Sequence, residues 1–295
     1  MNTIRSDFYS RGTRCAGHFH LPEGTAKPPV VIMAHGFGAQ QDFRLPAYAR
    51  KFSEKGIAAY TFDYRCFGLS DGEPRNLVSP RRHLRDWREA INHVRRSAEI
   101  DPGSIALWGS SFSGGHALVA ASLDPDVAAV VAQVPFVDGL ATLGMFSFSF
   151  VIEASFHGLR DLLRAATFRS PHYVPIVAPP DRFGMMNTPE SEPGYRAIVP
   201  EGSDWRNRCP ARIGLTLPLY RPTASAGKLR CPVLMIAAEK DSLVPFEAVR
   251  KTAGKIENCD FISLPMGHFD LYRGELFEKT VEIESSFLAK HLMKH

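Results

Sequence analysis

Six short apolar runs of strand length alternate with segments of helical spacing. That alternation confines the chain to a mostly parallel sheet covered by helices on both faces. The runs are 29–34 (PVVIMA), 58–64, 105–108, 127–134, 233–237 and 260–264. Residues 45–55, 83–97, 113–123 and 246–255 read as helices between them, and 276–292 as a closing amphipathic helix. Within 83–97, Leu84, Trp87, Ile91 and Val94 recur at helical spacing. The arginines around that stripe (Arg81, Arg85, Arg88, Arg95) form a solvated face rather than a binding patch. PVVIMA has no polar alternation, as expected of a strand buried on both faces. Ahead of it, 6–10 and 14–20 flank Arg11-Gly12 and predict an antiparallel hairpin.

The stretch 138–230 breaks the rhythm. It holds an aromatic run (MFSFSF), a predicted helix over 152–168 and a proline-rich part with Pro171, Pro175, Pro179 and Pro180. A structureless loop of that length does not suit a compact domain. We therefore expect one core domain made of 1–137 and 231–295, with 138–230 inserted into it as a helical cap. A length of 295 residues suits that plan better than two independent domains.

Composition narrows the function. The formal charge is only +4 and the arginines are scattered, which argues against nucleic acid as a partner. Five cysteines (Cys15, Cys66, Cys209, Cys231, Cys259) are widely spaced, with no CxxC or Cys/His cluster. They read as reduced thiols, and neither metal nor cofactor is called for. No apolar run approaches the ~20 residues of a membrane helix, and the first residues do not resemble a secretory signal. A cytoplasmic protein acting on a small molecule is the expectation.

The densest chemistry lies at 105–121, IALWGSSFSGGHALVAA, where a strand, a glycine-rich turn and a helix follow one another directly. Gly109-Ser110-Ser111-Phe112-Ser113 is one residue short of G-x-S-x-G, with Ser113 at the last glycine's place. A nucleophile on such a turn has its hydroxyl pushed clear of the sheet, and its neighbours must be small. Of the three serines, only Ser111 has a glycine two before it and a helix opening two after it. The Phe112 N–H would then lie at a helix N-terminus, able to stabilise an oxyanion.

A serine of this kind needs a base and an orienting acid. Past the strand 233–237 the sequence reads AEKDSLVP, and Asp241 is the expected acid, with Glu239 the alternative. Among eleven histidines, His268 follows the strand 260–264 in the loop PMGHFD and is the expected base. His116, inside the elbow helix, is expected to be structural, and Asp270 to cap the His268 loop. After PVVIMA comes His35-Gly36-Phe37-Gly38. The Phe37 N–H is the expected second oxyanion donor and its ring a pocket wall, with His35 stabilising the loop.

These pieces, with DYRCFGLSDG at Asp63, resemble the α/β-hydrolase superfamily over nearly the whole chain. Within it they resemble bacterial esterase-like hydrolases, fungal polyketide transferases and thiohydrolases. The resemblance places Ser111, Asp241 and His268 in the family's triad, and Phe37 and Phe112 at its oxyanion positions. Cys66 departs from the pattern, standing where DYRxFG carries glycine, so a positive φ there would strain it. The resemblance implies a serine hydrolase acting on esters of small to medium acyl groups. A thioesterase or acyltransferase on carrier-bound or coenzyme A-bound chains is the alternative. A peptidase, a carbon–carbon hydrolase or a non-catalytic binding protein ranks below both. Dehalogenase and epoxide-hydrolase chemistry would want aspartate at position 111. Met145, Phe146 and Phe148 are expected to bind substrate with Phe37, followed by helix residues Ile152, Phe156, Leu159, Leu162 and Leu163, unless these only pack the cap onto the sheet. The same stretch has ten arginines and one lysine against eight acids, a surplus that suits an acidic carrier or ordinary solvation equally.

Overall fold

In the computed structural model, which describes residues 1–293, the apolar runs assemble into one eight-stranded sheet. β1 (Asn2–Arg5) pairs antiparallel with β4 (Gly17–Leu21), which pairs antiparallel with β6 (Ala58–Phe62). From there each pairing is parallel, through β5 (Val30–Ala34), β7 (Ile105–Ser110), β8 (Ala129–Gln133), β11 (Val233–Ala238) and β12 (Cys259–Leu264). The central strands β5 to β8 and β11 are buried at every residue, which is why their sequences lack polar alternation.

The N-terminal hairpin is shorter than expected. β2 (Phe8–Ser10) pairs with β3 (Thr13–Cys15), and the rest of the expected second arm becomes β4 of the main sheet. The chain crosses over at Ala16, whose N–H donates to Ser70 Oγ and whose carbonyl accepts from Asp63 N, so side-chain and loop partners replace the hairpin ladder there.

Around the sheet stand α1 (Leu45–Glu54), α2 (Pro80–Arg95), α3 (Phe112–Ser122), α8 (Phe246–Ala253) and α9 (Gly274–Leu292), with α1 against α9 and α2 against α3. α2 buries Trp87, Ile91 and Val94 of the expected stripe, with Ala90 beside them, and turns Arg81, Arg85 and Arg88 to solvent, whereas Leu84 is only half-buried and half-buried Arg95 pairs with Asp124.

Residues 138–230 carry α4 (Gly139–Leu143), α5 (Phe148–Ala166), β9 (Tyr173–Val174), α6 (Ser191–Arg196), β10 (Cys209–Pro210) and α7 (Ile213–Thr216). α5 begins four residues before the expected start, because Ser147 caps it, its Oγ accepting from the Phe150 N–H. It ends before Phe168, which is 99% exposed at positive φ. Buried Asp161 ties α5 to the strands and helix after it, accepting from His172 N and from both the backbone and guanidinium of Arg212. No helix among the described residues is long and apolar enough to cross a membrane, and all five cysteines are free thiols.

Candidate active site

β7 ends at Ser110 and α3 begins at Phe112, leaving Ser111 alone on the turn at φ 56°, ψ −121°. A residue with a Cβ is strained in that region. The turn is possible because a Cβ at Gly109 would collide with the Ser113 carbonyl, so α3 can lie against β7 only if residue 109 has none. Ser113, in place of the usual glycine, is fully buried and bonds Tyr64 Oη at 2.9 Å, and Trp87 Nε1 donates to the same Tyr64 oxygen. The hydroxyl that breaks the G-x-S-x-G pattern is thereby absorbed into a buried network. Ser110 is also occupied, by Gln133 and Tyr272.

The loops after β7, β11 and β12 meet at the carboxyl edge of the sheet. There Ser111 Oγ lies 2.9 Å from His268 Nε2, and His268 Nδ1 lies 2.7 Å from Asp241 Oδ2. The other oxygen, Asp241 Oδ1, accepts the backbone N–H groups of Leu243 and Val244, each at 2.8 Å, which fixes the carboxylate plane. His268 and Asp241 are almost wholly buried. Burial alone would push the imidazole down; the Asp241 carboxylate, by charge and hydrogen bond, with Glu190 behind it, carries it above its ordinary value. Glu239 faces away, accepting from Ser263 Oγ. Asp270 Oδ2 accepts the Gly267 N–H at the base of the His268 loop. His116 is buried among Tyr220, His83 and Phe112, and its ring nitrogens bond Tyr220 and His83.

Phe37 and Phe112 flank Ser111 with their rings 5.5 Å apart, edge to face. Phe112 opens α3, so its N–H is among the first-turn donors with no partner inside the helix. The Gly36–Phe37 peptide, which carries the Phe37 N–H, is held by its carbonyl: Gly36 O accepts from His35 Nδ1 at 3.1 Å and from the Ala39 N–H. Cys66 does adopt positive φ, 73°, in a turn fixed by its N–H to Asp71 O and its carbonyl from Asn76 N.

A cavity of about 270 Å³ opens from Ser111. Its walls are Phe37, Phe112 and Phe136 from the sheet side and Phe146, Phe150, Val151, Ala154 and Leu215 from the 138–230 stretch. Phe37 and Phe146 thus face it, whereas Met145 and Phe148 do not: they are 42% and 80% exposed. The correction follows from the helix start. With α5 beginning at Phe148, the inward face is Phe150, Val151, Ala154 and Ser155, and the opposite stripe, Phe148, Ile152, Phe156, Leu159 and Leu163, points outward.

Sequence reasoning missed Glu190, Tyr195 and Trp205. Glu190 accepts from the backbone of Ser242 and of His268. Tyr195 Oη donates to the Phe37 carbonyl and Trp205 Nε1 to the Gly38 carbonyl, both at 2.8 Å. Their surroundings in sequence read only as loop, since each partner lies 52 or more residues away. Among the described residues no group of three or more His, Cys, Asp or Glu side chains could hold a metal ion.

A hydroxyl, an imidazole and a carboxylate in this order can pass a proton from oxygen to nitrogen while the carboxylate stabilises the imidazolium. With the eight-stranded sheet and its surrounding helices, this defines an α/β-hydrolase fold. The chain belongs to the family described as serine aminopeptidase S33, whose model matches residues 26–262. It is 34% identical to the quorum-quenching protein AidA of Acinetobacter baumannii, over 96% of this chain and 93% of that one. Fungal polyketide transferases and thiohydrolases are also similar; polyketide transferase af380 of Aspergillus fumigatus is 28% identical over 92% of this chain and 93% of that one. Among solved structures, DcsB in complex with its substrate analogue superposes with a TM-score of 0.86 at 23% identity, covering 99% of each chain.

Proposed function

We propose that this chain is a serine hydrolase that cleaves carboxylic esters of small to medium acyl groups. In this reading Ser111 Oγ attacks the acyl carbonyl as His268 Nε2 takes its proton, and Asp241 stabilises the imidazolium. The Phe37 and Phe112 N–H groups receive the oxyanion. His268 then protonates the departing alcohol, leaving an acyl group on Ser111. Water, deprotonated by the same imidazole, releases the acid and restores the serine. Residues 138–230 act as a cap whose inner face forms the acyl pocket, and no metal or cofactor takes part.

The observation that carries this reading is the unbroken Ser111–His268–Asp241 chain of hydrogen bonds at the mouth of an apolar cavity. About 270 Å³ is near the lower end of the range for small-molecule sites, which favours short to medium acyl groups. A second reading, transfer or hydrolysis of thioester-bound acyl chains, uses the same acyl-enzyme and is favoured by the likeness to polyketide transferases.

The test is a paired series of p-nitrophenyl esters and acyl-coenzyme A thioesters of matched chain length, with fluorophosphonate labelling as the check on the nucleophile. Ser111→Ala is expected to abolish labelling and to lower turnover by about a million-fold while folding is kept. Full labelling of that variant would remove Ser111 from its role. A preference for thioesters above about tenfold, some 1.4 kcal/mol, would replace the ester reading with the second one.

A further inference from the structure

The 138–230 stretch does more than wall the pocket. One of its carboxylates crosses to the two loops that carry the acid and the base. Glu190 Oε1 accepts from the Ser242 N–H at 3.0 Å and from Ser242 Oγ at 2.5 Å, and Glu190 Oε2 accepts from the His268 N–H at 2.9 Å. Ser242 directly follows Asp241, so a single side chain spans the chain on either side of the Asp241–His268 hydrogen bond. The sequence accommodates it. A Cβ at Gly267 would stand 2.5 Å from Glu190 Oε2, so the residue before His268 leaves room for the carboxylate. Glu190 itself is held at the N-terminal end of α6, where Ser242 Oγ also bonds Thr188 Oγ1, and Thr188 bonds Ser191.

We infer that Glu190 is a positioning residue that clamps the Asp241 loop to the His268 loop and holds the imidazole between Ser111 and Asp241. This rests on the proposed roles of those three residues. Hydrogen bonds to an ionised acceptor are about twice as strong as neutral ones, and here three of them converge on one carboxylate. An imidazole that must reach Oγ on one side and a carboxylate on the other tolerates little drift, since a displacement of about 1 Å commonly costs about a hundredfold in rate. The clamp works beside a second brace from the same stretch, Tyr195 and Trp205 on the Phe37 and Gly38 carbonyls. Both halves of the site, the proton relay and the oxyanion loop, are thus tied to α6 and the loop after it.

The clamp also has an electrostatic side. The titratable groups about His268 are Asp241 on the acid loop, Glu190 in the cap, Asp270 and Tyr272 on its own loop, Tyr195 of α6 and His35 after β5. Of these, the carboxylates of Asp241 and Glu190 raise the imidazole against the opposing effect of burial.

Glu190→Gln keeps the shape but cannot accept at both ends, because its amide nitrogen must face either Ser242 or His268. The measurement is the rate of fluorophosphonate labelling of Ser111 across pH, with kcat and KM for p-nitrophenyl acetate beside it. Expected for Glu190→Gln are a labelling rate lower by about ten- to a hundredfold, an acid-side midpoint moved to lower pH, and a loss in kcat with KM little changed. Glu190→Asp, which keeps the charge but withdraws it, is expected to lose rate with a smaller midpoint shift. A folded Glu190→Gln with wild-type rate and midpoint overturns the inference. So does failure of both variants to fold, since Glu190 would then serve folding rather than the site. Absence of labelling in the wild type would instead remove the roles of Ser111 and His268 on which the inference rests.

Discussion

Asp241 illustrates how much one side chain's second oxygen decides. With Oδ1 committed to the Leu243 and Val244 N–H groups, an asparagine at this position must turn its carbonyl toward them and its NH2 toward His268 Nδ1. Nδ1 would then have to accept, the ring proton would move to Nε2, and Nε2 could no longer take the Ser111 proton. Asp241→Asn is therefore expected to cost about four orders of magnitude in kcat with little loss of stability. Glu239→Gln, whose carboxylate faces Ser263, is expected to leave kcat nearly unchanged. Steady-state kinetics on an activated ester checks both, and a reversed outcome would make Glu239 the acid. The same geometry sets the pH dependence. In the proposed mechanism His268 takes the Ser111 proton only when neutral, and its ionisation is raised, so activity is expected to fall on acidification through a midpoint above that of an ordinary histidine. A pH profile of kcat/KM with its midpoint below that of an ordinary histidine would contradict this.

Elements contribute through the groups buried between them. Trp108 on β7 donates from Nε1 to Glu284 Oε2 on α9 at 3.0 Å, and Glu284 Oε1 finds no partner among the described residues. Fully buried, that carboxyl is pushed up from its ordinary 4.5 to about 8. The fold therefore holds it protonated where the unfolded chain would ionise it. Its contribution is complete below about 4.5 and is lost as pH rises toward 8, with a slope of up to about 1.4 kcal/mol per pH unit. Glu284→Gln keeps an acceptor for Trp108 and carries no charge, so it is expected to flatten that slope and to raise the melting temperature at neutral and alkaline pH. Thermal unfolding across pH checks this; a parallel shift at every pH would mean the carboxyl ionises normally. α5 shows the limit of reading elements from pattern. Its sequence has two apolar stripes, and the one that turns inward is fixed by long-range contacts, among them the partners of Asp161 and the packing of Gly158 against Leu215.

At the scale of the whole molecule, the proposed substrate pocket belongs to no single element. Phe37 and Phe136 come from loops at the sheet edge and Phe112 from the first turn of α3, and Phe146, Phe150 and Ala154 come from the stretch folded over them. Ala154 is the smallest side chain on that inner helical face. Ala154→Leu is expected to fill part of the cavity and to lower kcat/KM for the longest accepted esters by at least about tenfold, since a single methylene in such a pocket is worth about 1–3 kcal/mol. Acetyl ester turnover is expected to hold. A chain-length series on the variant checks it, and an unchanged profile would place the acyl group elsewhere.

What the sequence alone determined is what short-range pattern encodes. Continuous apolar runs require a sheet buried on both faces, and a small-residue turn between strand and helix requires Ser111 in a strained backbone conformation. Asp241 and His268 were legible because each follows a strand, and parallel strands deliver such residues to one edge. Ser113 looked like a departure from pattern until Tyr64, 49 residues away, supplied its partner. Glu190, Tyr195 and Trp205, and the outward turn of Met145 and Phe148, were decided only in the tertiary structure. Their partners lie far along the chain, and hydrogen-bond partners and helix facing are set by packing, which no local spacing records.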